Sequence, residues 1–142
     1  MWFYRSAVAS VLGVTALFKF VAVARGERLL EGVDPVFGLS MNRLAIAAGI
    51  IELLLVIFIL ASTRPQSVLA AVQVFAICLL GYRFAAAFSG RMPCPCLGGG
   101  VSWWPWLALH QNEVTLSIAL WLWMSSLILL LLQYRSRQEL AY

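Results

Sequence analysis

The 142-residue chain is 63% hydrophobic and only 11% charged, against roughly 25% charged residues in soluble domains, which argues against a water-soluble domain. Its net charge of +4 comes from 10 basic residues dispersed between apolar runs, so no basic stripe of the kind that binds nucleic acid is present. The expected surrounding is the lipid bilayer, and no nucleic-acid partner is expected.

The first apolar run covers residues 6–24 and is interrupted only by Lys19. It follows Arg5 as a signal peptide would. Lys19 and Arg25 do not resemble a small-residue cleavage region, so it is read as a retained spanning helix. A connection over residues 25–43 leads to the second run, 44–61, whose one charge is Glu52. The short segment Ser62-Thr63-Arg64-Pro65-Gln66 then predicts a tight antiparallel turn. The third run, 67–88, carries Gln73 and Arg83, and a second long connection, 89–113, precedes an uncharged fourth run at 114–132. Each run approaches the ~20 apolar residues that a spanning helix needs.

These elements predict an all-α integral membrane four-helix bundle, one domain over residues 1–142, with both termini on one face and both long connections on the other. Trp2, Phe3, Tyr4 and Tyr134 mark the terminal face, and Trp103, Trp104 and Trp106 the loop face, as interfacial aromatic belts do. Small residues four apart (Ala9 with Gly13, Ala45 with Gly49, Gly81 with Ala85) suit close helix approach in lipid, or reflect an Ala-rich composition. Arginine placement leaves orientation open: Arg5, Arg64, Arg135 and Arg137 on one face balance Arg25, Arg28, Arg43 and Arg91 on the other.

The segment Arg91-Met92-Pro93-Cys94-Pro95-Cys96-Leu97-Gly98-Gly99-Gly100 carries the chemistry. Two cysteines one residue apart close only a small, stiff disulfide ring, and strained, exposed disulfides are the labile or catalytic ones. The glycines permit another chain to approach closely. Cys94 and Cys96 are therefore the candidate redox pair. A structural disulfide and a soft-metal site for copper, built from Cys94, Cys96, Met92 and His110, are the competing readings. Cys78 reads as a buried small hydrophobe within the third run, and His110 as the start of the fourth helix at the interface. No nucleotide loop, Ser-His-Asp set or carboxylate pair is present, and no resident cofactor is expected.

Charges inside spans are expensive in hydrocarbon and mark functional sites by default. By a helical rise of ~1.5 Å per residue, Lys19 and Arg83 lie about 8 Å and Glu52 about 12 Å below the loop face. The expectation is a buried cluster in which Glu52 pairs with Lys19, Arg83 or both, either locking the helix register or lowering the thiol pKa.

The order of these features is similar to that of the MauE branch of the DoxX-like membrane proteins. The shared features are Leu17-Phe18-Lys19-Phe20 in the first run, Ile51-Glu52-Leu53-Leu54-Leu55 in the second, and a C-x-C-x-G loop before the last. The resemblance covers the whole chain. It implies a bacterial inner-membrane protein that assists disulfide formation in methylamine dehydrogenase with a thioredoxin-like partner, Cys94 and Cys96 being the redox pair. Disulfides persist in the periplasm, which places the C-x-C loop on that side. A metal-handling protein and a non-catalytic assembly subunit remain the rival classes, and self-association into a homo-oligomer stays open.

Overall fold

The computed structural model describes residues 1–26, 30, 32–89 and 105–139, with the backbone alone at 105–109, 111–112 and 137–139. It is built from α1 (Trp2–Ala24), α2 (Met41–Ala61), α3 (Pro65–Phe88) and α4 (Pro105–Glu139). All four are long and apolar enough to cross a membrane. Helices are the natural solution for such a sequence, because hydrocarbon offers no partner for a backbone N–H or C=O and a helix satisfies them internally. The chain is a multi-pass, all-α membrane bundle.

Its outer surface agrees with that medium. Leu17, Leu54, Leu60, Val74, Phe84 and Phe88 are exposed, and a water-soluble monomer rarely presents apolar surface on such a scale. Inside, α1 packs mainly on α2 and α3 mainly on α4, whereas α2 and α3 touch little. Two apolar clusters result. One gathers Val8, Leu12, Ile59, Val68, Val72 and Leu122 toward the terminal face, and the other gathers Ala22, Leu30 and Ala45 toward the loop face.

Polar contacts fix the register of these pairs. Buried Ser126 of α4 donates its hydroxyl hydrogen to Gln73 Oε1 of α3. The Arg5 guanidinium of α1 donates to the carbonyls of Ile59 and Ser62 at the end of α2. Those carbonyls have no partner further along the helix, and a basic side chain is a common way to satisfy them.

Of the three small-residue pairs, only Ala45 with Gly49 lies at a close approach. A methyl group added at Gly49 would stand 3.0 Å from the Phe20 ring of α1, while at Gly13 and Gly81 it would meet nothing within 4 Å among the described residues. The α1–α2 connection is folded rather than open. The backbone pairs Val33 with Ser40, and Met41 N–H donates to Gly32 O at 3.0 Å.

The fourth helix begins at Pro105, earlier than the expected start at 114, and so takes residues 105–113 out of the predicted connection. Proline suits that position because the first turn of a helix needs no N–H donor. Residues 113–136 of this helix are long and apolar enough to cross a membrane, and the helix of 35 residues extends ~50 Å by its rise, beyond a ~30 Å hydrocarbon core.

Candidate intramembrane site

Between the two apolar clusters the helices bury a charge pair. Thr15 and Lys19 lie four residues apart and therefore share one face of α1, turned toward Glu52 of α2. Lys19 Nζ donates to Glu52 Oε1 at 2.7 Å and to Oε2 at 2.8 Å, and both residues are 5% exposed. The Thr15 hydroxyl stands 3.2 Å from Glu52 Oε2 and 3.0 Å from the Leu12 carbonyl. Removing charges from water is costly, and only close geometry with further hydrogen bonds offsets it. Here a bidentate contact and a hydroxyl supply both.

An ammonium group carries three donors. Lys19 Nζ faces both oxygens of the one carboxylate, and among the described residues no other acceptor takes a donor from it. Lys19, Glu52 and Thr15 all line a cavity of about 880 Å³ that opens between α2 and α3. Ile51, Leu54, Leu55 and Phe58 of α2 form one wall, and Ala71, Val74, Phe75 and Cys78 of α3 the other. Leu12 of α1 with Ile118 and Leu122 of α4 closes it behind, and Phe37 and Tyr82 stand at its loop-face end.

That end is shaped by Asp34, which is 1% exposed. Its Oδ1 accepts the backbone N–H groups of Val36 at 3.0 Å and Phe37 at 2.7 Å, and its Oδ2 accepts the Tyr82 hydroxyl of α3. The Phe37 ring stacks on Tyr82 with centroids 5.7 Å apart. Asp34 was not among the candidate residues that the sequence singled out. The signal was present in Asp34-Pro35-Val36-Phe37-Gly38, an Asp–Pro turn closed by a glycine, and Gly38 does adopt a positive φ of 67°.

The expected cluster therefore forms from Lys19 and Glu52, with Thr15 as a member that the sequence did not flag. Arg83 does not complete it. Arg83 sits half-buried on α3 beside Tyr82, and the ion pair among the described residues is Lys19–Glu52. Cys78 departs from its expected burial, being exposed on α3 and facing the cavity between helices that stand apart. His110 lies within α4, not at its start, and borders a smaller hollow of about 420 Å³ with Glu113 and Trp121.

Cys94 and Cys96, the candidate redox pair, lie outside the described residues, as does Met92. Among the described residues no three His, Cys, Asp or Glu side chains come together as a metal site. No family model, curated protein or solved structure matches the chain.

Proposed function

We propose that this chain is a bacterial inner-membrane thiol–disulfide exchange protein with Cys94 and Cys96 as its redox pair. The pair faces the periplasm and works with a thioredoxin-like partner, as in the MauE-like proteins that it resembles. The observation that carries this reading is the Cys94-Pro95-Cys96 segment itself, placed in the connection between α3 and α4. In a bundle of four spanning helices that connection emerges on the same face as the Asp34 loop, away from both termini.

The step is an exchange of two electrons. A thiolate of the pair attacks the partner's disulfide, a mixed disulfide forms, and one partner sulfur leaves as a thiolate. The second cysteine attacks the mixed disulfide, releasing the reduced partner and leaving Cys94 and Cys96 joined; the reverse sequence oxidises the partner. The Lys19–Glu52 pair acts as a fixed brace between α1 and α2 beneath this chemistry.

The test is alkylation of intact cells with a membrane-impermeant maleimide, with and without prior reduction, in a Cys78→Ser background. Labelling only after reduction, together with a partner trapped as a mixed disulfide in one of the variants Cys94→Ser or Cys96→Ser, is the expected result. Labelling without reduction would show free external thiols and favour the copper-handling reading. Labelling only in broken cells would put the loop in the cytoplasm and overturn the proposal.

A further inference from the structure

We propose that the cavity between α2 and α3 binds a neutral lipophile with a carbonyl or hydroxyl head group, entering sideways from the bilayer. The head lies at Lys19 and Glu52. This site uses neither loop cysteine, so it stands or falls separately from the thiol–disulfide reading.

Size and lining come first. A volume of about 880 Å³ lies within the ~300–1,000 Å³ typical of small-molecule pockets, which are apolar with a few placed polar groups. This cavity has that character: side chains such as Leu55, Val74 and Phe75 form its walls, and among the described residues the charged side chains that line it are Lys19 and Glu52. Its wall follows α2 over residues 44–58, a length of about 20 Å with Glu52 near its middle, so an apolar body lies along the wall to either side of the head group.

The pair then selects the head. Among the described residues Lys19 Nζ bonds only to Glu52, which leaves at least one N–H as a donor for a carbonyl oxygen. Glu52 Oε1 receives only Lys19 among the described residues, and a carboxylate oxygen has room for a second donor, which suits a hydroxyl. The two charges cancel, so an anionic head would face Glu52 and a cationic one Lys19. Bringing either out of water without a net counter-charge is unfavourable. A quinone or quinol and a long-chain alcohol share the neutral, oxygen-bearing chemistry that remains.

The probe is tetradecanol carrying a photoreactive diazirine on its chain, irradiated with the full chain in lipid nanodiscs and mapped by peptide mass spectrometry. Adducts are expected on the facing surfaces of α2 and α3, and a fully substituted benzoquinone with a decyl tail should compete for them. Myristate should compete about tenfold less well, a difference of ~1.4 kcal/mol. Competition by unlabelled tetradecanol but not by the quinone assigns the site to an alcohol, whereas failure of unlabelled tetradecanol to compete would show non-specific labelling and overturn the proposal. Ala71→Phe, which fills the cavity without touching the pair, should abolish the adducts while leaving helicity unchanged. In Glu52→Gln the lone ammonium should make myristate the better competitor. Equal competition by myristate in the native protein, or adducts that survive Ala71→Phe, would overturn the proposal. So would ready Cys78–Cys78 cross-linking between copies, which would show a second chain covering this face.

Discussion

Tyr82 of α3 donates its hydroxyl to the buried carboxylate of Asp34, joining the α1–α2 connection to a helix 48 residues further along the chain. The same carboxylate holds the turn at Val36 and Phe37, and the Phe37 ring lies flat on Tyr82. One side chain thus shapes the turn and fastens it to the bundle. Tyr82→Phe keeps the ring stack and removes the donor, leaving a buried acceptor short of a partner. We expect a loss of about 1–3 kcal/mol, read as a lower midpoint of thermal unfolding in detergent. Asp34→Ala, which also releases the turn, should lose more. Equal midpoints for native protein and Tyr82→Phe would show that the contact does not hold the loop.

The Lys19–Glu52 pair predicts a non-additive mutant series. Removing one member leaves a buried charge without its counter-charge, with an expected loss of about 3–5 kcal/mol for Lys19→Met or Glu52→Leu. The double variant has no charge to strand and should recover most of that loss, as apolar replacements of buried pairs often do. Chemical unfolding of the four proteins measures the coupling. Additive single losses would mean that the two groups act independently, against a bidentate geometry of 2.7 and 2.8 Å.

Gly49 offers a steric test with an internal control. A methyl there would press on the Phe20 ring at 3.0 Å, and overpacking of this kind destabilises by about 1–3 kcal/mol. Gly49→Ala should therefore lower the unfolding midpoint, and adding Phe20→Leu should restore it. Gly81→Ala meets nothing among the described residues and removes a flexible helix interior residue, so it should be neutral or stabilising by up to about 1 kcal/mol. A neutral Gly49→Ala would show that the ring yields freely.

How much of this was legible in the sequence follows from the range of each interaction. The spans were readable because a bilayer imposes one local requirement, a sustained apolar run, and residues 6–24, 44–61 and 67–88 fall inside α1, α2 and α3. The start of α4 was not, because hydropathy reports where hydrocarbon lies and not where hydrogen bonding begins. Lys19 and Glu52 announced themselves as charges in apolar runs, and charge balance suggested their pairing. Thr15 carried no such signal, since a hydroxyl in a helix can satisfy itself on the Leu12 carbonyl. Cys78 was misjudged because helix periodicity gives a face but not what that face meets, and here α2 and α3 stand apart. Asp34 and Tyr82 needed a fold to bring them together.

Arg5 gives the last prediction, one about local order. Its Nε donates to Ile59 O at 3.0 Å, and its terminal nitrogen reaches the Ile59 and Ser62 carbonyls that would otherwise lack partners at the end of α2. A planar guanidinium can hold several acceptors at once, whereas an ammonium acts as a compact point charge. Arg5→Lys should therefore keep the positive charge but loosen the cap, and Arg5→Leu should release it. The effect belongs to the last turn of α2, where Ser62 N–H bonds to Phe58 O at 2.9 Å, and not to the Lys19–Glu52 region in the middle of α2. Hydrogen exchange followed by mass spectrometry should show residues 58–62 exchanging faster in the order native, Arg5→Lys, Arg5→Leu, with residues 45–52 unchanged. Acceleration spread evenly along α2 would mean that Arg5 supports the whole α1–α2 hairpin and not its end, because a cap acts only on the turn whose carbonyls it satisfies.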